Sequence, residues 1–220
     1  MSKYETVPAN ASAHVATQVH AMITRGEFLP GQQIRQENLA TRLGVSRVPV
    51  REALKVLENE GIVTHEPYVG YTVTKLKLSY LREAYYMREA VENSLLRKSP
   101  RPSADVIREL NEINDRVANG FESGGVAAVI EANHDFHFAM FRASGLDFMV
   151  RELERLWRLT SAYRFVHRYD AQFRERMVAD HHEQIDAFEN GDVEHLIELL
   201  VGHRNLTLEQ TELGLAPMMQ

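Results

Sequence analysis

The chain of 220 residues is long enough for one large domain or two small ones, and its content of 44% hydrophobic and 25% charged residues is ordinary for a globular protein. It contains no cysteine, which excludes disulfide bonds and thiolate metal sites and fits a reducing compartment. No apolar run approaches the roughly 20 residues that cross a bilayer, and the first twenty residues lack the apolar core of a signal peptide. We therefore expect a cytoplasmic protein with no membrane partner.

The net charge of −6 is unevenly distributed along the chain. Residues 1–77 hold nine Lys and Arg against seven Asp and Glu, whereas residues 78–220 hold 16 against 24. This asymmetry predicts two modules, of which only the first suits a polyanion.

The first module begins with two predicted helices. Apolar residues at helical spacing indicate a helix over residues 12–25, which the sequence GEFLPG ends. A short helix over residues 36–43 follows, and Gly44 then supplies the permissive backbone of a tight turn.

A third helix and a hairpin complete this module. Ser46 is a good N-cap and Pro49 suits a first turn, so we predict a helix over residues 47–60. Residues rich in β-branched and aromatic side chains around 67–70 predict a hairpin. Helix, turn, helix and hairpin in this order predict a winged helix-turn-helix, with a domain boundary near residue 74.

The third helix carries a basic stripe beside an apolar one. Arg47, Arg51 and Lys55 recur every four residues, which places them on one side of the helix. Recognition helices commonly present the residues of their N-terminal half to DNA. The alternative is a solvated helix with surface salt bridges. The predicted DNA-binding residues, including those of the hairpin, are Ser46, Arg47, Val48, Pro49, Arg51, Lys55, His65 and Gly70.

The sequence LPGQQIRQENLATRLGVSRVPVREALKVLENEGIV, continued by GYTV, resembles the DNA-binding domain of the GntR family of bacterial transcription regulators. The hallmarks of that family are a proline-glycine entry, a V-S-R-x-P-V-R-x-A-L recognition helix and an L-x-x-E-G exit. The matching residues are Val45, Ser46, Arg47, Pro49, Val50, Arg51, Ala53, Leu54, Leu57, Glu60 and Gly61. The resemblance covers residues 12–74 and implies that the partner is double-stranded operator DNA.

The second module reads as helices only. After a short linker at residues 75–79, an all-α bundle is predicted for residues 80–220. The predicted helices span residues 79–98, 104–119, 126–143, 147–168, 172–190 and 192–212, separated by glycine or proline.

Three histidines of this bundle lie within apolar stripes. His137 follows Asn133 by four residues on the same helix face, and His181 and His203 stand ten and twelve residues on either side of Gly191. In an antiparallel helical hairpin, that spacing brings the last two imidazoles to nearly the same level. We predict a metal site formed by Asn133, His137, His181 and His203. Hydrogen-bonded core histidines are the alternative.

Neutral imidazoles with an oxygen donor suit a divalent transition metal, with zinc favoured over nickel, manganese or iron. The pattern is also similar to the all-helical FCD effector domain of the FadR branch of the GntR family. Many FCD domains hold a metal with Asp or Asn, then FH, then two later histidines. Asp is commoner than Asn at the first position, so the resemblance implies lower metal affinity or altered metal choice here.

Two arginines were predicted to bind an effector. Arg88 lies within an apolar stripe, where an unpaired guanidinium is costly, so it suggests an anion such as a carboxylate. Pairing with Glu92 is the alternative. Arg164, predicted to face inward beside Trp157 and Thr160, is the weaker candidate.

These observations predict a mainly α, homodimeric transcription regulator that is not an enzyme. We expect a repressor whose operator affinity changes when a metal ion and a small organic acid bind in the bundle. Two alternatives remain at this stage. One is a sensor for which the metal itself is the signal, and the other is a metal-dependent hydrolase, for which Asp135 is the only candidate base.

Overall fold

The computed structural model describes residues 9–164 and 171–216. The chain divides into two compact units. The first runs up to Lys77 and also includes the segment from Ser161 to Arg164, and the second contains Leu78–Thr160 and the described residues from 171 onward.

In its described part, the first unit has the predicted winged helix-turn-helix fold. Its elements are α1 (Ala9–Thr24), α2 (Gln36–Leu43), α3 (Arg47–Asn59), β1 (Val63–Glu66) and β2 (Gly70–Val73). The two strands pair antiparallel, with Val63 opposite Val73 and Glu66 opposite Gly70.

The core of this unit forms between α1 and α3. Both helices bury one apolar stripe, made of Val15, Val19, Met22 and Ile23 on α1 and of Val50, Ala53, Leu54 and Leu57 on α3. Gly44 ends α2 with a φ of 65°, a left-handed conformation that glycine adopts without strain. The turn between α2 and α3 is therefore the one that the sequence predicted.

Ser46 occupies the N-cap position of α3 with extended backbone, but its side chain makes no capping hydrogen bond. The predicted N-cap position of Ser46 is confirmed, although its hydroxyl does not supply a capping bond. The hydroxyl is left exposed at the start of the recognition helix.

The second unit is all-α in its described residues, as predicted. Its helices are α4 (Leu78–Lys98), α5 (Ala104–Asn119), α6 (Gly125–Arg142), α7 (Asp147–Ser161), α8 (Ala171–Asn190) and α9 (Val193–Leu215). No described helix is both long and apolar enough to cross a membrane.

Two predicted boundaries need comment. The glycine-rich break at residues 120–125 contains a π-helical turn over Gly120–Gly124, and the backbone leaves the helical conformation at Gly125, where φ is 74°. The helix predicted over residues 147–168 ends at Ser161, and residues 165–170 lie outside the described part of the chain.

A single large core cluster lies at the centre of the second unit. Phe136, Phe138 and Phe141 of α6 are fully buried there, and Trp157 of α7 packs against them. Helix α8 packs against both α5 and α9. Gly191, with a φ of 74°, makes the turn between α8 and α9, and the Asp192 side chain caps α9 by accepting from the His195 N–H. Helices α6, α8 and α9 each bring one predicted metal-binding histidine into this interior.

Candidate DNA-binding groove and metal centre

A groove of about 550 Å³ lies in the first unit, where the N-terminal ends of α2 and α3 face the hairpin tip. Four of the predicted DNA-binding residues line it, namely Arg47, Val48, Arg51 and Gly70. Five further polar residues that sequence reasoning missed line the same groove, namely Gln33, Arg35, Gln36, Glu37 and Asn38. Amide and guanidinium groups are the side chains that most often read base edges and phosphates.

The basic side chains of the groove have acidic neighbours on the surface. Arg47 pairs with Glu37, and both Arg51 and Lys55 contact Glu52, at 3.3 and 3.2 Å. The hydrogen bond from Lys55 is the main cause of the lowered pKa of Glu52; desolvation opposes it, and Arg51 adds to the lowering. The predicted surface salt bridges thus exist. Because all of these groups are exposed, the pairs contribute little and DNA phosphates can replace the carboxylates.

The other predicted DNA-binding residues occupy different positions. Ser46 is exposed immediately before the first residue of α3. Pro49 is buried, so its ring supports the start of α3 and does not face the surface. His65 is exposed on β1, where its ring packs against Tyr71 with centroids 4.6 Å apart.

Three histidines converge in the interior of the second unit. His137 of α6, His181 of α8 and His203 of α9 each offer one ring nitrogen, and these atoms all lie within 4.8 Å of one another. The ring centroids are 5.3 to 5.8 Å apart. His137 and His181 are buried and His203 nearly so.

Two polar side chains orient this triad. The Nδ1 of His181 lies 3.0 Å from Oδ1 of Asn114, and the Nδ1 of His203 lies 3.3 Å from Oδ2 of Asp180. An oxygen partner at Nδ1 holds the proton there and leaves Nε2 as the metal-binding atom. The Nε2 of His181 is buried and has no hydrogen-bond partner among the described residues.

The charge state of His181 also suits a cation. Burial, followed by the nearby His203 and His182, holds the pKa of His181 well below its usual range. The imidazole is therefore neutral at physiological pH, and neutral imidazole is the form that binds metal.

Asn133 lies one helical turn before His137 and is buried. Neither its Oδ1 nor its Nδ2 has a hydrogen-bond partner within the described ranges. An amide oxygen beside three imidazoles is a donor set that fits zinc, nickel, iron(II) or manganese. The residues present thus fit a divalent transition metal.

Arg88 is buried but engaged in an ion pair. Its Nε donates to Glu92 at 3.1 Å, its Nη1 donates to Thr160 at 3.0 Å, and its guanidinium carbon lies 3.9 Å from the centroid of the Trp157 ring. This is the Glu92 pairing that the sequence left open. Because Glu92 already balances the buried charge of Arg88, the guanidinium does not require an effector carboxylate, and its contact with an effector stays a prediction.

Glu92 is the centre of this buried network. It also accepts from Trp157 Nε1 at 2.7 Å and from two nitrogens of Arg204, at 2.9 and 2.6 Å. Burial alone would raise the pKa of Glu92, but Arg88 and Arg204 outweigh it and lower the pKa. Trp157 connects the network to the triad, since its ring centroid lies 5.4 Å from that of His137.

Arg164 is buried. Because α7 ends at Ser161, Arg164 lies beyond the helix in a segment that belongs to the first unit. In this segment the Tyr163 hydroxyl accepts from the Leu76 N–H at 2.8 Å and donates to the Thr74 carbonyl at 2.9 Å. That Arg164 lies beside Trp157 and binds an effector stays a prediction.

Two family models match these two units. The model for bacterial regulatory proteins of the gntR family matches residues 11–73, and the FCD domain model matches residues 83–205. The chain belongs to the GntR family. It is a transcription regulator with an FCD domain, as the sequence patterns implied, and members of this family bind operator DNA and are not enzymes.

The GntR assignment agrees with individual relatives. The chain is 31% identical to the Nta operon transcriptional regulator of Aminobacter aminovorans over 67% of this chain and 69% of that one. It is 30% identical to the uncharacterized HTH-type regulator YdhC of Bacillus subtilis, over 54% of each chain, so the match spans about half of that relative. The structure of E. coli McbR/YncC has a TM-score of 0.81 over 96% of this chain and 99% of that one, at 22% identity, which shows a shared fold.

Several residues of this GntR protein were missed by sequence reasoning. Asn114 and Asp180 orient the triad, and Gln184 is buried one turn after His181 with neither amide atom bonded to any described group. Asn114 and Gln184 interrupt the apolar stripes of α5 and α8, which is a signal that the sequence contains. The bonds of Tyr163 join residues 87 or more positions apart, so no local pattern could reveal them.

Proposed function

We propose that this GntR-family protein is a repressor whose FCD domain binds a divalent metal ion together with a small carboxylate effector. The observation that carries the proposal is the buried triad of His137, His181 and His203, with one ring nitrogen of each within 4.8 Å of the others. Three buried imidazoles with two orienting partners resemble a metal centre more than a set of separate core residues.

The metal would be held by the triad and Asn133. These four groups carry no charge, so a dication there would favour an anionic ligand, and a carboxylate from solution supplies one. Zinc is our first choice, with nickel, iron(II) and manganese as alternatives. Arg88 would act indirectly, by packing on Trp157, which forms one wall of the site.

The DNA-binding residues would be those of the groove in the first unit. We infer that Arg47 and Arg51 contact phosphate or guanine, with Gln36 and Asn38 available for base edges. Lys55, Ser46 and Val48 extend this exposed face along α3.

We infer that the protein acts as a homodimer on a pseudo-palindromic operator. Supporting this, α4 exposes three large side chains, Tyr80, Tyr86 and Met87, at 54%, 73% and 56% of their surface. Exposed aromatic and methionine side chains on one helix are typical of a surface that a second copy covers. A two-fold dimer would present two grooves to two half-sites.

Regulation would follow from linkage between the two ligands. An effector that favours a geometry unsuited to the operator weakens DNA binding, and DNA weakens effector binding by the same factor. Repression relieved by the acid is the outcome that we expect.

A metal sensor is the second candidate, because the triad is complete without any organic ligand. It requires that the metal alone changes operator affinity. A hydrolase has no support, since Asp135 is bound to Arg116 at 2.6 Å on a half-exposed surface and the relatives are regulators.

The proposal is tested by operator titration. An operator is selected from a random duplex library, and its dissociation constant is measured for metal-free protein, with zinc, and with zinc plus each of a panel of small carboxylates. We expect one acid to raise the constant only when zinc is present, and this response to be lost in His181→Ala. His182→Ala, which alters the exposed neighbour on the same helix, is the matched control. A response to zinc alone would favour the metal sensor, and no response to any combination would contradict both.

A further inference from the structure

Gln184 is a buried amide that the fold itself does not use. Its side chain is fully buried, and neither Oε1 nor Nε2 has a hydrogen-bond partner in the described part of the chain. A buried polar group without a partner is costly, and most such groups in native proteins are satisfied. A group like this one therefore points to a partner that binds from solution.

The position of Gln184 identifies the site where that partner would bind. Gln184 follows His181 by three residues on α8, a spacing that makes side chains neighbours on one helix face. Asn133, on α6 one turn from His137, is a second buried amide whose two polar atoms are unpartnered among the described residues. Two unsatisfied amides thus accompany the histidine triad.

We propose that Gln184 determines effector specificity and that the effector is a 2-hydroxycarboxylate. This inference rests on the proposed function, since it takes the triad as the metal site. An amide offers one acceptor and two donor hydrogens. A plain carboxylate only accepts, so it would satisfy Nε2 and leave Oε1 without a donor.

A hydroxyl group next to the carboxylate resolves this mismatch. The hydroxyl of the acid donates to Oε1 of Gln184, while an oxygen of the adjacent carboxylate accepts from Nε2. One amide thus binds both groups. An ammonium group would also donate to Oε1, but it would place a second cation beside a bound dication in a buried site, which is unfavourable. The hydroxy acid is therefore the class that the donor and acceptor pattern favours.

The test compares matched acids that differ by one hydroxyl. Zinc-loaded protein is titrated with lactate and propionate, and with malate and succinate, while calorimetry and the fluorescence of Trp157, the sole tryptophan of the chain, report binding. We expect the wild type to bind the hydroxy acid of at least one pair about tenfold more tightly than its partner. In Gln184→Met, which keeps the side-chain volume, both acids lose the bond from Nε2, and the hydroxy acid also loses the bond to Oε1. The two affinities should therefore become nearly equal.

A second measurement, the Tm of metal-free protein, tests whether the amide of Gln184 has a purely structural role. In metal-free protein, Gln184→Met should raise Tm, because it removes an unsatisfied buried group. A lower Tm in Gln184→Met would show that the amide is bonded within the fold, and equal binding of both members of each pair by the wild type would remove the specificity role. Either result overturns the inference. If zinc or all four acids fail to bind the wild type, the proposed function fails first and the inference fails with it.

Discussion

Arginine and glutamate meet in both units of the protein, but in opposite surroundings. In the groove, Arg47 and Arg51 pair with carboxylates on an exposed surface. In the bundle, Arg88 and Arg204 share Glu92 in a buried network that also takes the Trp157 N–H. The exposed pairs leave the arginines available to another anion, whereas the buried pairs fix the positions of the helices that carry them.

The contrast shows that residue type alone does not identify an anion-binding arginine. Arg88 suggested an effector site because an inward arginine needs a carboxylate, and the chain itself supplies one four residues later. Arg47 and Arg51 have partners too, but those partners are solvated and replaceable. The availability of an arginine to a ligand therefore depends on the burial of its partner.

Among single substitutions in the two regions, Glu92→Gln should cause the largest loss in the free energy of unfolding. This change leaves Arg88 and Arg204 buried without their shared carboxylate, and breaking a buried pair costs about 3–5 kcal/mol. Urea unfolding at pH 7 measures this loss. Glu89→Gln is the control, because Glu89 also accepts from Arg204 but is one-third exposed, so the loss should be much smaller.

The pH dependence of stability should follow from the same carboxylate. Because the pKa of Glu92 is lowered from its ordinary value of 4.5, its contribution is fully present above about pH 4.5 and is lost as the pH falls through the lowered pKa. Below pH 4.5, wild-type protein should therefore lose stability more steeply than Glu92→Gln. Parallel pH profiles for the two proteins would show that Glu92 is not ionised in the fold.

In the groove, Arg51→Ala should change binding and not stability. We expect operator affinity to fall by about tenfold to a hundredfold, with Tm unchanged, because the Arg51 side chain is exposed and its pair with Glu52 is weak. Arg42→Ala is the matched control, since Arg42 is an exposed arginine of α2 outside the groove. Equal losses of operator affinity in the two variants would show that Arg51 acts only through its positive charge and not through a specific contact.

Tyr163→Phe, beyond the end of α7, should cause the smallest loss in the free energy of unfolding. The change removes one hydroxyl and leaves the Leu76 N–H and the Thr74 carbonyl without this partner, which costs about 1 kcal/mol. Urea unfolding measures this loss. A variant as stable as the wild type would show that the two hydrogen bonds of the Tyr163 hydroxyl contribute nothing to stability.

The elements that could be predicted from sequence are those encoded by local patterns. The helix–turn–helix around Gly44, the hairpin and the α8–α9 hairpin around Gly191 all follow from short-range periodicity and turn residues. The convergence of His181 and His203 followed from their distances to one glycine. What could not be predicted depends on the tertiary fold: which acid pairs with Arg88, which groups orient the histidines, and where α7 ends.

Metal binding in the interior of the FCD domain is the proposal on which the others depend, and elemental analysis of the purified protein tests it. Protein purified without an affinity tag is measured for wild type, His181→Ala and the control His182→Ala. We expect close to one transition-metal ion per chain in the wild type and in His182→Ala, and almost none in His181→Ala. Wild-type protein that stays free of metal after incubation with zinc, nickel and manganese would contradict the proposal and leave the three histidines as core residues.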